Sequence, residues 1–331
     1  MQIFKGVIFL LKSKRFIIIL GVILTTIFIS TSILAAGFNQ EDLLEPVDKT
    51  LKFVFIPKVV HPWYDVVRAG AEKAIEEFAD QGIKIDLKWD APPTAEITAH
   101  MKKIEANISA RPDGMAIAVL DPATNTQVIN DAVNAGLNVV TFDTDAPDSL
   151  RACYIGHDKN FEDGYVLGEF LAKKINYEGE VAILSGTLSA PNHVGRVNGF
   201  KAAIEQYPYI KIVTERPDND SLQKAMELTE NIIQAFPNID GFFGCNATNP
   251  IGAARAVENA GLVGKVHIVG MDDLDETIQY VQKGVIDAVK IQRQWEIGYW
   301  TVKYLVAMNQ NHTIPEEHPT GSKVITGSDL N

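Results

Sequence analysis

Polar and aromatic side chains gather where the apolar runs of this sequence end. LKFVFI is followed by Pro57 and Lys58, then by His61, Trp63 and Tyr64. LNVVTF runs into Asp143, Thr144 and Asp145; EVAILS leads to GTLSAPNHVGR, IDGFFGC to Asn246, and VHIVGM to Asp272 and Asp273. Turn residues are the low-cost choice at such junctions, so two large aromatics beside a His and a Lys ask for another explanation. Aromatic rings cover the apolar C–H face of a small molecule, while Asp, Asn and Arg satisfy hydroxyls, each of which donates and accepts. Charged partners strengthen those bonds. A site of this kind rejects analogues that lack a hydroxyl, because its own buried polar groups are then left unpaired. A second use is open to each group: Trp63 and Tyr64 as a staple on the first helix, Asp143 and Asp145 as solvated or capping acids, Arg196 as the partner of a nearby acid.

The elements that must position these residues are legible in the periodicity. From Leu51 onward short β-rich runs alternate with longer helical stretches and recur roughly every 30 residues, the period of a βα unit. One series is LKFVFI, IKIDLKW, GMAIAV, LNVVTF and CYIG; a second is EVAILS, IKIVTE, IDGFFG, VHIVG and IDAVKI. Most are apolar throughout, as parallel strands covered on both faces are. Between them, DVVRAGAEKAIEEFADQG places Val67, Ala71, Ala74, Ile75 and Phe78 on one helical face, with Gly82 as the stop. SLQKAMELTENIIQAF repeats the pattern behind Ser221. The expected fold is α/β, with two doubly wound parallel-sheet lobes of similar plan. Ligands of such sheets bind beyond the carboxyl ends of the strands, where the polar residues recur in both halves.

Composition narrows the function. A chain of 331 residues suits two lobes rather than one core. Its net charge of −12 argues against nucleic acid, which needs a basic surface. No G-x-S-x-G, H-E-x-x-H, G-x-x-x-x-G-K-[ST] or G-x-G-x-x-G occurs, so nothing supports an enzyme, and no cofactor is expected. Asp272, Asp273 and Asp275 resemble the start of a calcium loop, but Thr277 stands where the obligatory Gly belongs, so no metal is expected. Cys153 and Cys245 are either a disulfide or two small core residues. Trp295 and Trp300 lie at helical spacing with Ile297 and Tyr304 and are expected in the core.

The N-terminus reads differently. No charge occurs from Phe16 to Gln40, and Lys12, Lys14 and Arg15 precede that run. Such a stretch is long enough to span a bilayer, and the basic flank predicts a cytoplasmic N-terminus with the remainder exported. Ala35-Ala36-Gly37 leaves cleavage open, but the apolar core exceeds that of an ordinary signal peptide, and no Cys lies near enough for a lipid anchor. The expectation is a signal or signal-anchor segment over 1–38, retained as an anchor, and a polar tether over 39–50.

Seven landmarks then fall in one order: the aromatic pair after the first strand, VVTFDTDAP, YIGHDKNFEDGYVLG, GRVNGFKAAI, GFFGCNATNPIGAARAVENAG, HIVGMDD and DAVKIQRQWEIG. In this the chain resembles the class I periplasmic binding proteins of the ribose/galactose type from 51 to about 325. Repressor cores of the lac type share that fold but carry a DNA-binding helix-turn-helix where this chain has its apolar segment. The resemblance implies an extracytoplasmic protein that closes on a monosaccharide and presents it to an ABC importer or to a membrane sensor histidine kinase. It implies three crossings of the chain, near 157, 292 and 319, giving lobes 51–157 with 293–318 and 158–292 with 319–331. It also implies roles residue by residue. Trp63 and Tyr64 match the aromatics that sandwich the sugar ring, and His61 stands where ribose-type members have Asn. Asp143 matches the carboxylate after the fourth strand, with Thr144 replacing the Arg that follows it in the family. Asn160 matches an Asn near the hinge, Arg196 the Arg before the Gly-Phe helix, and Asn219 a position some members fill with an aromatic. Asn246, Asp272 and Gln292 match polar ligands of the second lobe and hinge. FIPKVV, WDAPPTAE and FDTDAP are similar to the rhamnose-type and autoinducer-2-type branch, which adds Lys58, Asp145 and Asn192. Pentose, hexose, deoxysugar and an autoinducer-2-type signal all remain open as ligands.

Overall fold

The apolar runs become strands and the amphipathic stretches become helices in a computed structural model, which describes residues 43–330. The first series forms β1 (Leu51–Ile56), α1 (Trp63–Asp80), β2 (Ile85–Trp89), α2 (Ile97–Ala110), β3 (Gly114–Ile117), α3 (Pro122–Asn134), β4 (Val139–Phe142) and β5 (Tyr154–Gly156). The second forms α4 (Asn160–Lys174), β6 (Gly179–Leu184), α5 (Pro191–Ile204), β7 (Ile210–Arg216), α6 (Leu222–Ala235), β8 (Ile239–Gly244), α7 (Asn249–Asn259), β9 (His267–Met271), α8 (Asp275–Gln282) and β10 (Ala288–Gln292). The chain ends with α9 (Gln294–Asn309), β11 (Glu317–Pro319) and β12 (Ser322–Thr326). Local signals mark several boundaries. Ser221 Oγ accepts from Lys224 N at the start of α6, Asp121 caps α3 ahead of Pro122, and Gly82 takes a positive φ of 85° just past α1.

Two six-stranded sheets result, ordered β11-β5-β4-β3-β1-β2 and β12-β10-β9-β8-β6-β7. Read from the β2 and β7 edges the plans coincide, so β1 corresponds to β6 and β4 to β9. Among the described residues all strand pairings are parallel except β10 with β12. The covered strands β3 and β4 are buried throughout, whereas edge strand β2 alternates half-buried and exposed residues. This is an α/β fold with two parallel-rich sheets. The chain passes from the first sheet to the second after β5, returns between β10 and α9, and passes over again between β11 and β12.

Each sheet carries apolar clusters of its own. Phe53, Phe55, Phe142 and Ile297 pack on the first sheet, and Phe242, Ile268 and Val289 on the second. Two helix pairs approach closely because glycine removes a side chain at the contact. A Cβ on Gly298 of α9 would overlap the Val67 carbonyl of α1, and one on Gly164 of α4 would overlap the Arg196 carbonyl of α5. The second contact fixes the helix that carries Arg196.

Cys153 and Cys245 are unpaired and buried in separate clusters, so they are core residues. Ile297 is core as expected and Trp300 packs against it, but Trp295 is 40% exposed and stacks on Tyr299. The expected membrane segment and residues 39–42 of the tether lie outside the described residues. Among the described residues no helix is long and apolar enough to cross a membrane.

Candidate functional site

The carboxyl ends of strands from both sheets converge on one cavity. From the first sheet come Lys58 and His61 after β1, Trp63 and Tyr64 in the first turn of α1, and Asp143 after β4. From the second come Asn192, His193 and Arg196 on α5, Asp220 ahead of α6, Asn246 after β8, Asp272 after β9 and Gln292 at the end of β10. About 30 Å³ is open to the centre of a water-sized sphere. A single water needs roughly 10–15 Å³ by that measure, so the space holds more than one water.

Asp143 and Asp272 occupy equivalent positions, one residue beyond β4 and β9. Both have left-handed backbones, with φ of 62° and 69°. A non-glycine residue held there costs on the order of 1–3 kcal/mol, and such strain clusters at functional sites. Asp143 Oδ2 accepts from the Tyr64 hydroxyl at 2.6 Å and lies 3.0 Å from Lys58 Nζ. Lys58 Nζ also donates to Asn192 Oδ1 at 3.3 Å, joining the two halves of the cavity. Burial and the neighbouring Asp143 push the Tyr64 phenol well above its ordinary range, so it stays a donor.

Trp63 and Tyr64 pack edge to face, with ring centroids 5.0 Å apart and planes at 88°. At most one of them can lie flat on a given ligand ring. Both rings also belong to the core of the first sheet, so their packing and ligand-facing uses coexist. The backbone N–H of Trp63 donates to His61 Nδ1 at 3.1 Å, which leaves the imidazole proton on Nε2. Burial lowers the His61 pKa and keeps the ring neutral.

Arg196 is 1% exposed and donates from Nη1 to the Cys245 carbonyl at 3.1 Å. Gln292 Nε2 donates to Asp272 Oδ1 at 2.9 Å. Burial raises the Asp272 pKa to about 6, against the opposing pull of Arg196, Gln292 and Trp63. The Trp63 indole N–H faces this carboxylate closely enough to lower its pKa but makes no hydrogen bond of good geometry.

Among the described residues, five buried polar atoms at the cavity have no protein partner: His61 Nε2, Trp63 Nε1, Arg196 Nε and Nη2, and Gln292 Oε1. Unpartnered buried groups are uncommon in folded proteins. Four donors and one acceptor around a single space form a complement for a ligand dense in oxygen atoms.

Ten of the thirteen residues expected from the sequence line the cavity; Asp145, Asn160 and Asn219 do not. Asp145 turns away into a two-pronged pair with Arg151, with Nε to Oδ1 at 2.9 Å and Nη2 to Oδ2 at 2.7 Å, and it also accepts from Thr141. Asn160 begins α4 at the first crossing and donates to the His157 carbonyl at 3.3 Å. Asn219 and Asp220 both have left-handed backbones, with φ of 55° and 60°, and that double turn presents Asp220 to the cavity.

Asp220 and His193 escaped the sequence reading. Asp220 accepts from Thr187 Oγ1 and, at 3.0 Å, from Asn246 Nδ2. Thr187 N donates to His193 Nδ1 at 3.0 Å, and His193 Nε2 lies 3.6 Å from Asp220 Oδ1. Burial works to raise the Asp220 carboxyl, but the Lys58 charge and the Thr187 hydroxyl oppose it and hold the group low. Its neighbour Asp218 has no such support, and burial together with Asp220 pushes it up to about 7. Burial takes His193 down to about 4, so it is neutral. Asn246 is fully occupied, since its carbonyl oxygen caps the Thr248 and Asn249 N–H groups while its amide holds the acids. It positions Asp220. The one local signal was the acid-rich RPDNDS directly after a strand.

Two equivalent α/β halves with a polar cavity between their strand ends define a ligand-binding protein of the two-lobed kind. Residues 53–312 match the periplasmic binding protein domain, and the chain belongs to that family. The family is one of binding proteins and not of enzymes. The chain is similar to the D-allose-binding periplasmic protein of Escherichia coli (strain K12), at 26% identity over 82% of this chain and 89% of that one. Its structure is similar to that of GanP, a glucose-galactose binding protein from Geobacillus stearothermophilus, with a TM-score of 0.78 and 33% identity over 86% of this chain and 99% of the other. It is also similar to a chain of the XylFII-LytSN complex, with a TM-score of 0.77 and 31% identity over 85% and 99% of the two.

Proposed function

We propose that this protein binds a monosaccharide outside the cytoplasm and presents it to a membrane partner, either an ABC permease or a sensor histidine kinase. The observation that carries this reading is the set of unpartnered donors and the acceptor that converge on one cavity. A sugar hydroxyl both donates and accepts, so a ring of hydroxyls satisfies His61, Trp63, Arg196, Gln292 and the free faces of Asp143 and Asp272 together. The names of the relatives, which include D-allose and glucose-galactose binding proteins, support a sugar. The likeness to a protein solved together with LytSN supports a protein partner. The N-terminal apolar segment supports an anchored or secreted location.

The lobes in this reading are 51–157 with 293–318 and 158–292 with 319–331, moving about the three crossings. Sugar touches both sets of residues fully only when the lobes meet, so it favours the closed state by no more than its differential affinity for that state. A thermal-shift screen of the full chain against pentoses, hexoses, deoxysugars and autoinducer-2 tests the reading. One sugar is expected to raise the melting temperature in step with RT ln(1 + [L]/Kd). No shift with any of them sinks it.

Affinity should depend on pH through Asp272. Its carboxylate form accepts hydroxyl hydrogen bonds on both oxygens and more strongly than the protonated form, so binding favours loss of the proton. With a pKa of about 6 in the free protein, affinity is full above that value and falls as pH drops through it, by up to about tenfold at pH 5. Isothermal titration at pH 5, 6 and 7.5 reads the effect. Asp218 titrates near 7 beside Asp220, so the comparison with Asp272→Asn isolates the Asp272 share, and that variant should lose the slope between pH 6 and 5.

A further inference from the structure

The three places where the chain passes between sheets meet at one buried carboxylate outside the cavity. Asp163, in the first turn of α4, is 1% exposed. Its Oδ2 lies 2.6 Å from Nε2 of His157, the residue that follows β5 at the first crossing. Its Oδ1 lies 3.5 Å from Nζ of Lys290 in β10, the strand that leads into the second crossing. The same oxygen accepts at 3.0 Å from the hydroxyl of Ser322, the first residue of β12 after the third crossing. One side chain thus holds all three connections against the second sheet.

The same residue is tied to the cavity. The next residue, Gly164, is where α4 meets the Arg196 carbonyl backbone to backbone. The Arg196 guanidinium is close enough to help hold the Asp163 carboxyl below the usual range, against the opposing effect of burial and alongside the larger contribution of His157. Nearby, His157 Nδ1, Asn160 Oδ1 and Thr320 Oγ1 are buried and unpartnered.

We propose that Asp163 is the positioning residue that links sugar at Arg196 to the three crossings and sets the balance between open and closed lobes. This rests on the sugar-binding reading above. Sugar binding that draws on Arg196 acts on the close helix contact at Gly164, the residue next to Asp163, and Asp163 holds a residue at or beside each of the three crossings. Loss of its charge depopulates the closed form, and apparent affinity falls by that fraction although no ligand contact is touched.

The test uses the full-length chain and two variants, Asp163→Asn, which keeps the shape and drops the charge, and Ser322→Ala, which removes one bond at the third crossing. Hydrogen–deuterium exchange without sugar is expected to rise in Asp163→Asn at 157–159, 291–293 and 320–322 together. Isothermal titration with the best sugar is expected to show affinity about tenfold weaker for Asp163→Asn and about threefold weaker for Ser322→Ala, with faster dissociation. Faster exchange at one crossing alone, or at none, overturns the proposal. So does a lower melting temperature with affinity within twofold of the parent, which is the mark of a purely structural role. A parent that binds no sugar sinks the functional reading instead, and the exchange pattern still decides the role of Asp163.

Discussion

Asp143→Ala is expected to abolish measurable sugar binding and to destabilise the protein by about 3–5 kcal/mol, the usual cost of breaking a buried ion pair from one side. The Lys58 side chain, only 7% exposed and 3.0 Å from the carboxylate, would lose its ion-pair partner and keep only the Asn192 carbonyl oxygen and the more distant charge of Asp220. The Tyr64 hydroxyl would lose its acceptor at 2.6 Å. The binding loss combines two effects: the ligand loses a charged acceptor, and Tyr64 and Lys58 lose the group that orients them. Asp143→Asn should keep an acceptor for Tyr64 and recover part of the stability but little of the affinity. Urea unfolding with an unchanged m-value, together with isothermal titration, separates the two quantities. A stability change below about 1 kcal/mol would mean that Lys58 finds another partner, and the account of this half of the site would then be wrong.

Arg196→Met should weaken binding by more than about a hundredfold, since two unpartnered charged donors are lost at roughly 1.5–3 kcal/mol each. Met retains much of the side-chain volume, so packing against α4 is largely preserved. What disappears is the bond to the Cys245 carbonyl and the positive charge beside Asp272 and Asp163. The Asp272 carboxyl, already raised to about 6 by burial, should climb further once Arg196 no longer opposes it. The fall of affinity with decreasing pH should therefore begin at a higher pH in whatever binding survives. Equal affinity for parent and variant would place the ligand away from the second-sheet half of the cavity.

Much of this protein was determined by the sequence alone. The alternation of apolar runs with amphipathic stretches specifies strands and helices because both patterns are local, a short continuous apolar run for a covered strand and a period of about 3.6 residues for a helix. Arg196, on α5, was reached through the resemblance, whereas the positions of Lys58, Asp143 and Asp272 were legible for a related reason. In parallel sheets the carboxyl end of a strand is where ligands bind, and a strand end is marked in the sequence by the loss of apolar residues. Tertiary structure decided what happens once the backbone stops repeating. Two successive left-handed residues bring Asp220 into the cavity and leave Asn219 out of it, and no periodicity reports a φ sign. Asp145 is drawn off by Arg151, whose guanidinium also binds the carbonyl of Glu316, 165 residues away in the chain. The edge-to-face angle of Trp63 on Tyr64 follows from packing over Phe142. Asp163 reads in sequence as an ordinary acid in the first turn of a helix. Only the return of Lys290 and Ser322 to the same place makes it a junction, because contacts between segments so far apart depend on the closure of both sheets.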